Sequence, residues 1–131
     1  MNDLYGNGVK LNEKVLDLLW KRQSMTSANI ANVDTPGYKS LYMSFEDQLA
    51  NRIKRSSTAD GSTTQRDVAR VIDHLHEQVK TDESESTQLD GNNVDMDQEE
   101  VELAKTNLEY QYMVNSISQE LKRLDSAAKT F

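Results

Sequence analysis

Three stretches of this chain carry residue types able to do chemistry. His74 and His76, flanked by Asp73 and Glu77, are nitrogen and oxygen donors of the kind that hold zinc. Two residues apart, however, the histidines point to different sides of a helix and share a face only on a strand, and the spacing fits no structural zinc pattern. Solvated side chains are the expectation there. Asp90-Gly91-Asn92-Asn93-Val94-Asp95-Met96-Asp97 places side-chain oxygens at alternating positions, as an EF-hand calcium loop does. Such a loop starting at Asp90 would need an oxygen ligand where Val94 stands, glycine where Asp95 stands and glutamate where Val101 stands. A turn leading into a helix fits these residues better, with Asp97 as N-cap, Glu100 completing a capping box, and Glu99, Glu100 and Glu102 at the positive end of the dipole. The third stretch runs from Ser27 to Lys39. Its Asn29, Asn32 and Asp34 can bond nearby backbone, and Thr35-Pro36-Gly37-Tyr38 follows, containing the only proline of the chain. Proline pushes the preceding residue out of the α region, and the glycine after it favours a turn with φ > 0, so a helix should stop here and the chain change direction. No glycine-rich phosphate loop, nucleophile elbow or metal-ligand spacing is present, so no catalytic, cofactor-binding or metal residues are assigned.

The elements that hold these stretches come from hydrophobic periodicity. Leu11, Val15, Leu18 and Met25, flanked by Leu16, Leu19 and Trp20, predict a helix from about Leu11 to Val33. Leu4, Leu11, Leu18 and Met25 repeat every seven residues, and Arg22 and Asn29 fill polar seam positions that would weaken a zipper while setting its register. Ahead of it, Gly6-Asn7-Gly8 reads as a flexible break. Leu41 to Leu49 is expected to begin extended and enter a short helix with Phe45, Leu49 and Ile53 on one side, ending in the basic cluster Arg52, Lys54 and Arg55. Ser56 to Thr64 has no periodicity and reads as a loop. Val68, Val71, Ile72, Leu75 and Val79 predict a helix over about Gln65–Val79, and Asp82-Glu83-Ser84-Glu85-Ser86 a polar loop or hairpin tip. The last helix is predicted from Met96 to Phe131, with a heptad seam of Leu103, Asn107, Tyr110, Val114, Ile117, Leu121, Leu124, Ala128 and Phe131.

The resulting fold class is mainly α: long N- and C-terminal helices packed as an antiparallel coiled-coil hairpin, joined by an irregular, partly flexible middle segment with a short helix or β-hairpin. The expected division of one domain, 1–131, is 1–34, 35–95 and 96–131. A hydrophobic fraction of 36% with 6% aromatic is thin for a self-sufficient core, so a partner is expected to complete burial. The net charge of −7 excludes a basic footprint for nucleic acid or an anionic membrane. There is no cysteine for a disulfide or thiolate site, and no apolar run of spanning length or cleaved-signal pattern. Leu16, Leu19 and Trp20, and on the other helix Val101, Leu108, Tyr112 and Met113, lie off the heptad seam. The dilute protein is therefore expected to be a monomer whose terminal segments, residues 1 to 30 and 103 to 131, are frayed or disordered and become helical only on assembly.

Ala28-Asn29-Ile30-Ala31-Asn32-Val33-Asp34-Thr35-Pro36-Gly37-Tyr38-Lys39 resembles the N-terminal signature of bacterial flagellar rod and hook proteins. A second stretch, Leu89 to Asp97 followed by Leu103-Ala104 and Leu108-Glu109-Tyr110-Gln111, resembles the C-terminal half of the proximal-rod (FlgB) family of the flagellar basal body. That resemblance implies a structural subunit that stacks with other rod subunits and with copies of itself, meets the adaptor between rod and membrane ring, and is exported by the flagellar type III apparatus without a cleaved signal. It implies a place in the basal body, in the rod that crosses the periplasm, with the terminal helices forming an inner coiled-coil layer and the middle segment outside. The assembly residues implied are Asn29, Asn32, Asp34, Thr35, Pro36, Gly37 and Tyr38 at the turn, with the interface carried by Leu11, Val15, Leu18, Met25, Leu103, Tyr110, Val114, Ile117, Leu121 and Leu124. Without these signatures, the heptads alone would fit a soluble helical-hairpin adaptor that binds a partner's amphipathic helix.

Overall fold

A helix that is apolar on one stripe must bury that stripe, and the chain does so by folding its two ends against each other. The computed structural model describes residues 6–56, 65–86 and 88–130. Within them lie α1 (Gly6–Ala31), β1 (Leu41–Ser44), α2 (Glu46–Ser56), α3 (Gln65–Asp73), β2 (Gln78–Thr81) and α4 (Met96–Lys129). Helices α1 and α4 run antiparallel, because as the α1 residue number climbs its α4 partner falls. Gly8 lies against Glu120, Asn12 donates to Ser116 Oγ at 3.5 Å, Arg22 pairs with Glu109 at 3.5 Å, and Asn29 donates to Glu99 at 3.1 Å. Of the expected loop Ser56 to Thr64, Ser56 is instead the last residue of α2, and residues 57–64, like the heptad residue Leu4 and the terminal Phe131, lie outside the described residues.

The N-terminal break expected at Gly6-Asn7-Gly8 is instead the first turn of α1. Only Gly6 has a positive φ, of 61°, while Gly8 is helical and lets α4 approach: a Cβ there would stand 3.3 Å from Glu120 Oε1. At its other end α1 stops at Ala31, two residues before the expected Val33: the Asn32 amide is shared between Ala28 O and Asn29 O, both at 3.1 Å, and the Val33 amide bonds Ile30 O at 3.3 Å, so the last turn tightens to i→i−3 bonds. Helix α4 begins where expected but is capped by Asp95, whose carboxylate accepts from the amides of Asp97 and Gln98, so Asp97 is inside the helix and not its N-cap.

The heptad seam of α4 also needs correction. Leu103, Tyr110, Ile117 and Leu124 are half-buried, but Val114 and Leu121, assigned to the interface with them, are exposed at 38% and 43%. The row completing the seam is Thr106, Met113 and Glu120, on the opposite side of Leu103, Tyr110 and Ile117. Two seven-residue stripes share that central row, and the sequence pattern favoured the more apolar one; the polar partners of α1, Asn12 and Arg22, draw the other toward them. On α1, Leu18 is buried, Val15 and Met25 pack against the core, and Leu11 is half-buried.

The middle segment builds the rest of the core. Leu18 and Leu19 pack with Met43, Phe45 and Leu75, so Leu19, read as an off-seam residue wanting a neighbour, finds one inside its own chain. Strand β1 pairs antiparallel with β2, Met43 opposite Val79, which ends the Gln65–Val79 helical expectation at Asp73: pairing with β1 recruits Val79 into a strand and leaves Leu75 in the irregular link that plugs the core. Because α2 and α3 lie between the two strands, the pair is not a tight hairpin, and Asp82 to Ser86 follows β2 without forming its tip.

Burial is concentrated in one half of the hairpin. No residue of α4 after Thr106 is buried, and of the first turns of α1 only Val9 is. Amide hydrogen exchange on the dilute protein should therefore show strong protection at 17–31, 41–45 and 96–110 and early exchange beyond Met113, which narrows the expected fraying to the distal half. Uniform protection along all of α4 would contradict it.

Candidate assembly site

The two signature stretches, separated by 49 residues, meet at the closed end of the hairpin and are tied together by asparagine side chains. Thr35-Pro36-Gly37-Tyr38 forms a turn in which the Tyr38 amide donates to Thr35 O at 3.2 Å and Gly37 has a φ of 73°. Proline in the first central position and left-handed glycine in the second make it type II. The strand-like arm after it is held against residues 90–93: the Gly37 amide donates to Asp90 O at 2.9 Å, and the Asn93 amide to Tyr38 O at 3.2 Å.

Asn29 uses its whole amide. Its Oδ1 accepts from the Leu41 amide at 2.9 Å and from the Tyr38 hydroxyl at 3.1 Å, while its Nδ2 donates to Leu41 O at 2.7 Å and to Glu99 Oε1 at 3.1 Å. One buried side chain thus fixes α1, the arm after the turn, and the first turn of α4. Asn92, fully buried, donates to Asn32 O at 2.7 Å and Thr35 O at 2.8 Å, giving each carbonyl a second donor beside the amides of Thr35 and Tyr38, and accepts from the Val94 amide at 2.8 Å. Asn93 accepts from the Ser40 amide at 2.8 Å and donates to Asp82 O at 2.9 Å, which sets the chain leaving β2 beside the one entering β1. Asn32 donates to Ala28 O at 2.7 Å and accepts from the Thr35 hydroxyl at 3.0 Å. Pro36 and Asp34 are exposed, and Asp34 takes no part in these bonds.

Reading the sequence placed Asn29, Asn32, Thr35, Gly37 and Tyr38 in the motif but missed that Asn92 and Asn93 are its partners. Both stood in the failed calcium loop, and the signal was that failure: oxygen-bearing residues with the wrong spacing for a metal were backbone-binding amides. Arg22 was missed in another way. Only 5% exposed, it meets Glu46 at 2.6 Å, Glu109 at 3.5 Å and the Phe45 ring at 4.8 Å, so a polar seam position links α1, α2 and α4. Burial alone would raise the pKa of Glu46, but hydrogen bonds from Arg22 and backbone amides together hold its carboxyl below the ordinary range. His74 and His76 are both exposed, His74 bonding Arg70 O through Nδ1 and the His76 amide bonding Gln48.

Glu99 is pushed the other way. Desolvation raises its pKa above 4.5, with Glu102 and Asp95 adding to the rise, against the lowering effect of the Asn29 bond. A carboxyl whose folded pKa is raised binds its proton more readily in the folded chain, so its contribution is most favourable below pH 4.5 and declines as pH rises through the folded value. Glu99→Gln, which keeps an acceptor for Asn29, should then be more stable than the parent at pH 7 and equal to it in acid. Urea unfolding of both proteins from pH 4 to 7 checks this; a gain independent of pH would contradict it.

A helical hairpin latched at one end by backbone-binding asparagines is the architecture of a structural subunit. Comparison with known proteins agrees. Residues 18–39 match the family model described as flagella basal body rod protein. The chain is 30% identical over 128 residues to the flagellar basal body rod protein FlgB of Escherichia coli (strain K12), covering 93% of each. It is 34% identical over 121 residues to that of Buchnera aphidicola subsp. Acyrthosiphon pisum, covering 86% of each, and 32% identical over 145 residues to that of Borreliella burgdorferi, covering 98% of this chain and all of the relative. The chain belongs to the FlgB family of flagellar basal body rod proteins, structural subunits of the rod.

Proposed function

We propose that the chain assembles with other rod subunits and with copies of itself into the part of the drive shaft that carries motor torque through the periplasm, after export by the flagellar type III apparatus without a cleaved signal, and that it also meets the adaptor between rod and membrane ring. The observation that supports this most directly is the surface left by a well-latched hairpin. Trp20, Val101, Leu108 and Tyr112 remain exposed at 61 to 72%, although the same two helices bury Leu18, Leu19 and Thr106 almost completely. Large side chains left wet beside a finished core mark a face made for neighbours. Contacts between such faces that are related by a non-closing rotation build a tube, and many of them in parallel make it stiff. No helix of the described residues is long and apolar enough to cross a membrane.

The turn is the part of the latch on which this reading is most easily tested. Pro36→Ala with Gly37→Ala removes the fixed φ that starts the turn and forces a side chain into a φ of 73°, at a cost of about 1–2 kcal/mol plus a loosened arm. In a strain whose own copy of the gene is deleted, the wild-type gene should restore swimming and the double variant should fail to, while the variant protein still accumulates. Swimming in the deletion strain without complementation would overturn the rod reading, and normal swimming with the double variant would remove the turn from it.

A further inference from the structure

The charge of this chain is unevenly divided. Residues 82–102 hold nine acidic and no basic side chains, so the remainder of a chain of net charge −7 carries +2. Four of the six arginines fall in α2 and α3, and three of them, Arg52, Arg55 and Arg70, line a polar cleft of about 660 Å³ between these helices, together with His74. Asp47 and Asp67 line it too, from the first turns of the same helices, and leave the arginines in excess. Among the described residues none of these three arginines is ion-paired, whereas Arg22 and Arg123 both are. The opposite charge is displayed at the other end of the β1–β2 pair. Gln78, which lines the cleft, stands opposite Ser44, whereas Thr81 stands opposite Leu41, about 10 Å along the strand. From Thr81, residues 82–86 run on without a turn or bend and are tied to the latch by every second residue: Asn93 donates to Asp82 O at 2.9 Å and to Ser84 O at 3.4 Å, and Ser86 Oγ donates to Asn92 O. The residues between, Glu83 and Glu85, are exposed, and neither forms an ion pair among the described residues.

Resting on the rod reading and adding a contact to it, we propose that the acidic strap 82–86 of one copy of this chain lies along the α2–α3 cleft of the next, with Glu83 and Glu85 paired to Arg52 and Arg55. The spacings agree. Alternate side chains of an extended segment leave on one side about 7 Å apart, and residues three apart on a helix are neighbours at about 5–6 Å. Each guanidinium can take a carboxylate through two parallel N–H bonds. The latch already holds the strap in place, so docking orders little that was free. Strap and cleft stand at opposite ends of the strand pair, so the strap of a chain does not fill its own cleft. A cleft at one end and its counterpart at the other are the two halves of a heterologous contact, which repeats from copy to copy without closing.

Exchanging the charges tests the contact. In the deletion strain, Arg52→Glu with Arg55→Glu, or Glu83→Lys with Glu85→Lys, should lower the amount of the chain recovered in isolated basal bodies at least about tenfold, because like charges then meet. A chain carrying all four substitutions offers the same pairs with the signs exchanged, and should recover to within about twofold of the parent. A second measurement leaves the arginines in place. The chain contains no cysteine, so Asn51→Cys in the cleft and Glu85→Cys in the strap, co-expressed as separate copies, report on the contact without background. Mild oxidation of basal bodies should join the two variants, and neither should dimerise when expressed alone. Full recovery after either reversal, four substitutions that fare no better than two, or no cross-link in rods that assemble would overturn the contact and leave the rod function standing. Absence of the parent chain from the basal bodies of cells that swim would instead overturn the rod reading itself.

Discussion

Asn92→Ala is expected to destabilise the protein by about 3 kcal/mol, because it removes three hydrogen bonds of one fully buried side chain at once. The amide of Val94 loses its acceptor, and the carbonyls of Asn32 and Thr35 each lose one of two donors, keeping the amides of Thr35 and Tyr38. A buried polar group left unpaired costs about 1–3 kcal/mol, and a domain of this size holds only about 5–15 kcal/mol in all. The conservative change should be no kinder. Asn92→Asp keeps the acceptor for Val94 but turns a carboxylate oxygen toward two carbonyl oxygens, where two N–H donors stood. Urea unfolding followed by far-ultraviolet circular dichroism measures both. A loss below about 1 kcal/mol for Asn92→Ala would mean that the end of α1 is satisfied in some other way, and the latch would have no claim on stability.

Leu75→Ala is expected to cost about 3–5 kcal/mol, the range for a fully buried leucine whose site cannot collapse. Leu75 is completely enclosed by Leu18, Leu19, Met43 and Phe45, although it belongs to no helix or strand. Its loss should be felt first where the middle segment docks, so exchange should quicken in β1 and α3 before α4. The contrast is Val114→Ala and Leu121→Ala. If the seam runs through Thr106 and Met113, these exposed residues should each shift stability by no more than about 0.5 kcal/mol. Losses of several kcal/mol at Val114 or Leu121 would restore the seam that the heptad pattern alone suggests.

The contrast shows where a one-dimensional pattern stops being informative. In α4 two seven-residue stripes share Leu103, Tyr110, Ile117 and Leu124, and periodicity can only rank them by hydrophobicity. The stripe that faces α1 contains Thr106 and Glu120, which no apolar count would choose. It faces α1 because the register is set by polar pairs, Asn12 with Ser116, Arg22 with Glu109 and Asn29 with Glu99, which satisfy each other across the interface. The capping residue of α4 moved for a related reason. Asp95 and Asp97 are equally able to cap, and what separates them is where the chain arriving from the latch first takes on helical geometry.

What the sequence determined by itself rested on neighbours within a few residues: two long helices, a change of direction at Thr35-Pro36-Gly37, an extended start and short helix at Leu41 to Leu49, and the match of two separated stretches to one family. What only the tertiary structure decided were the partners across long separations. That Asn29 and Asn92 hold the two signatures together, that Leu19 and Leu75 share one core, and that residues 78–81 form a strand and not the end of a helix all depend on which distant backbone group lies within hydrogen-bonding reach. An asparagine bonds a calcium ion, a solvent molecule or a carbonyl with the same atoms, so its role is set by what the fold brings within about 3 Å of it.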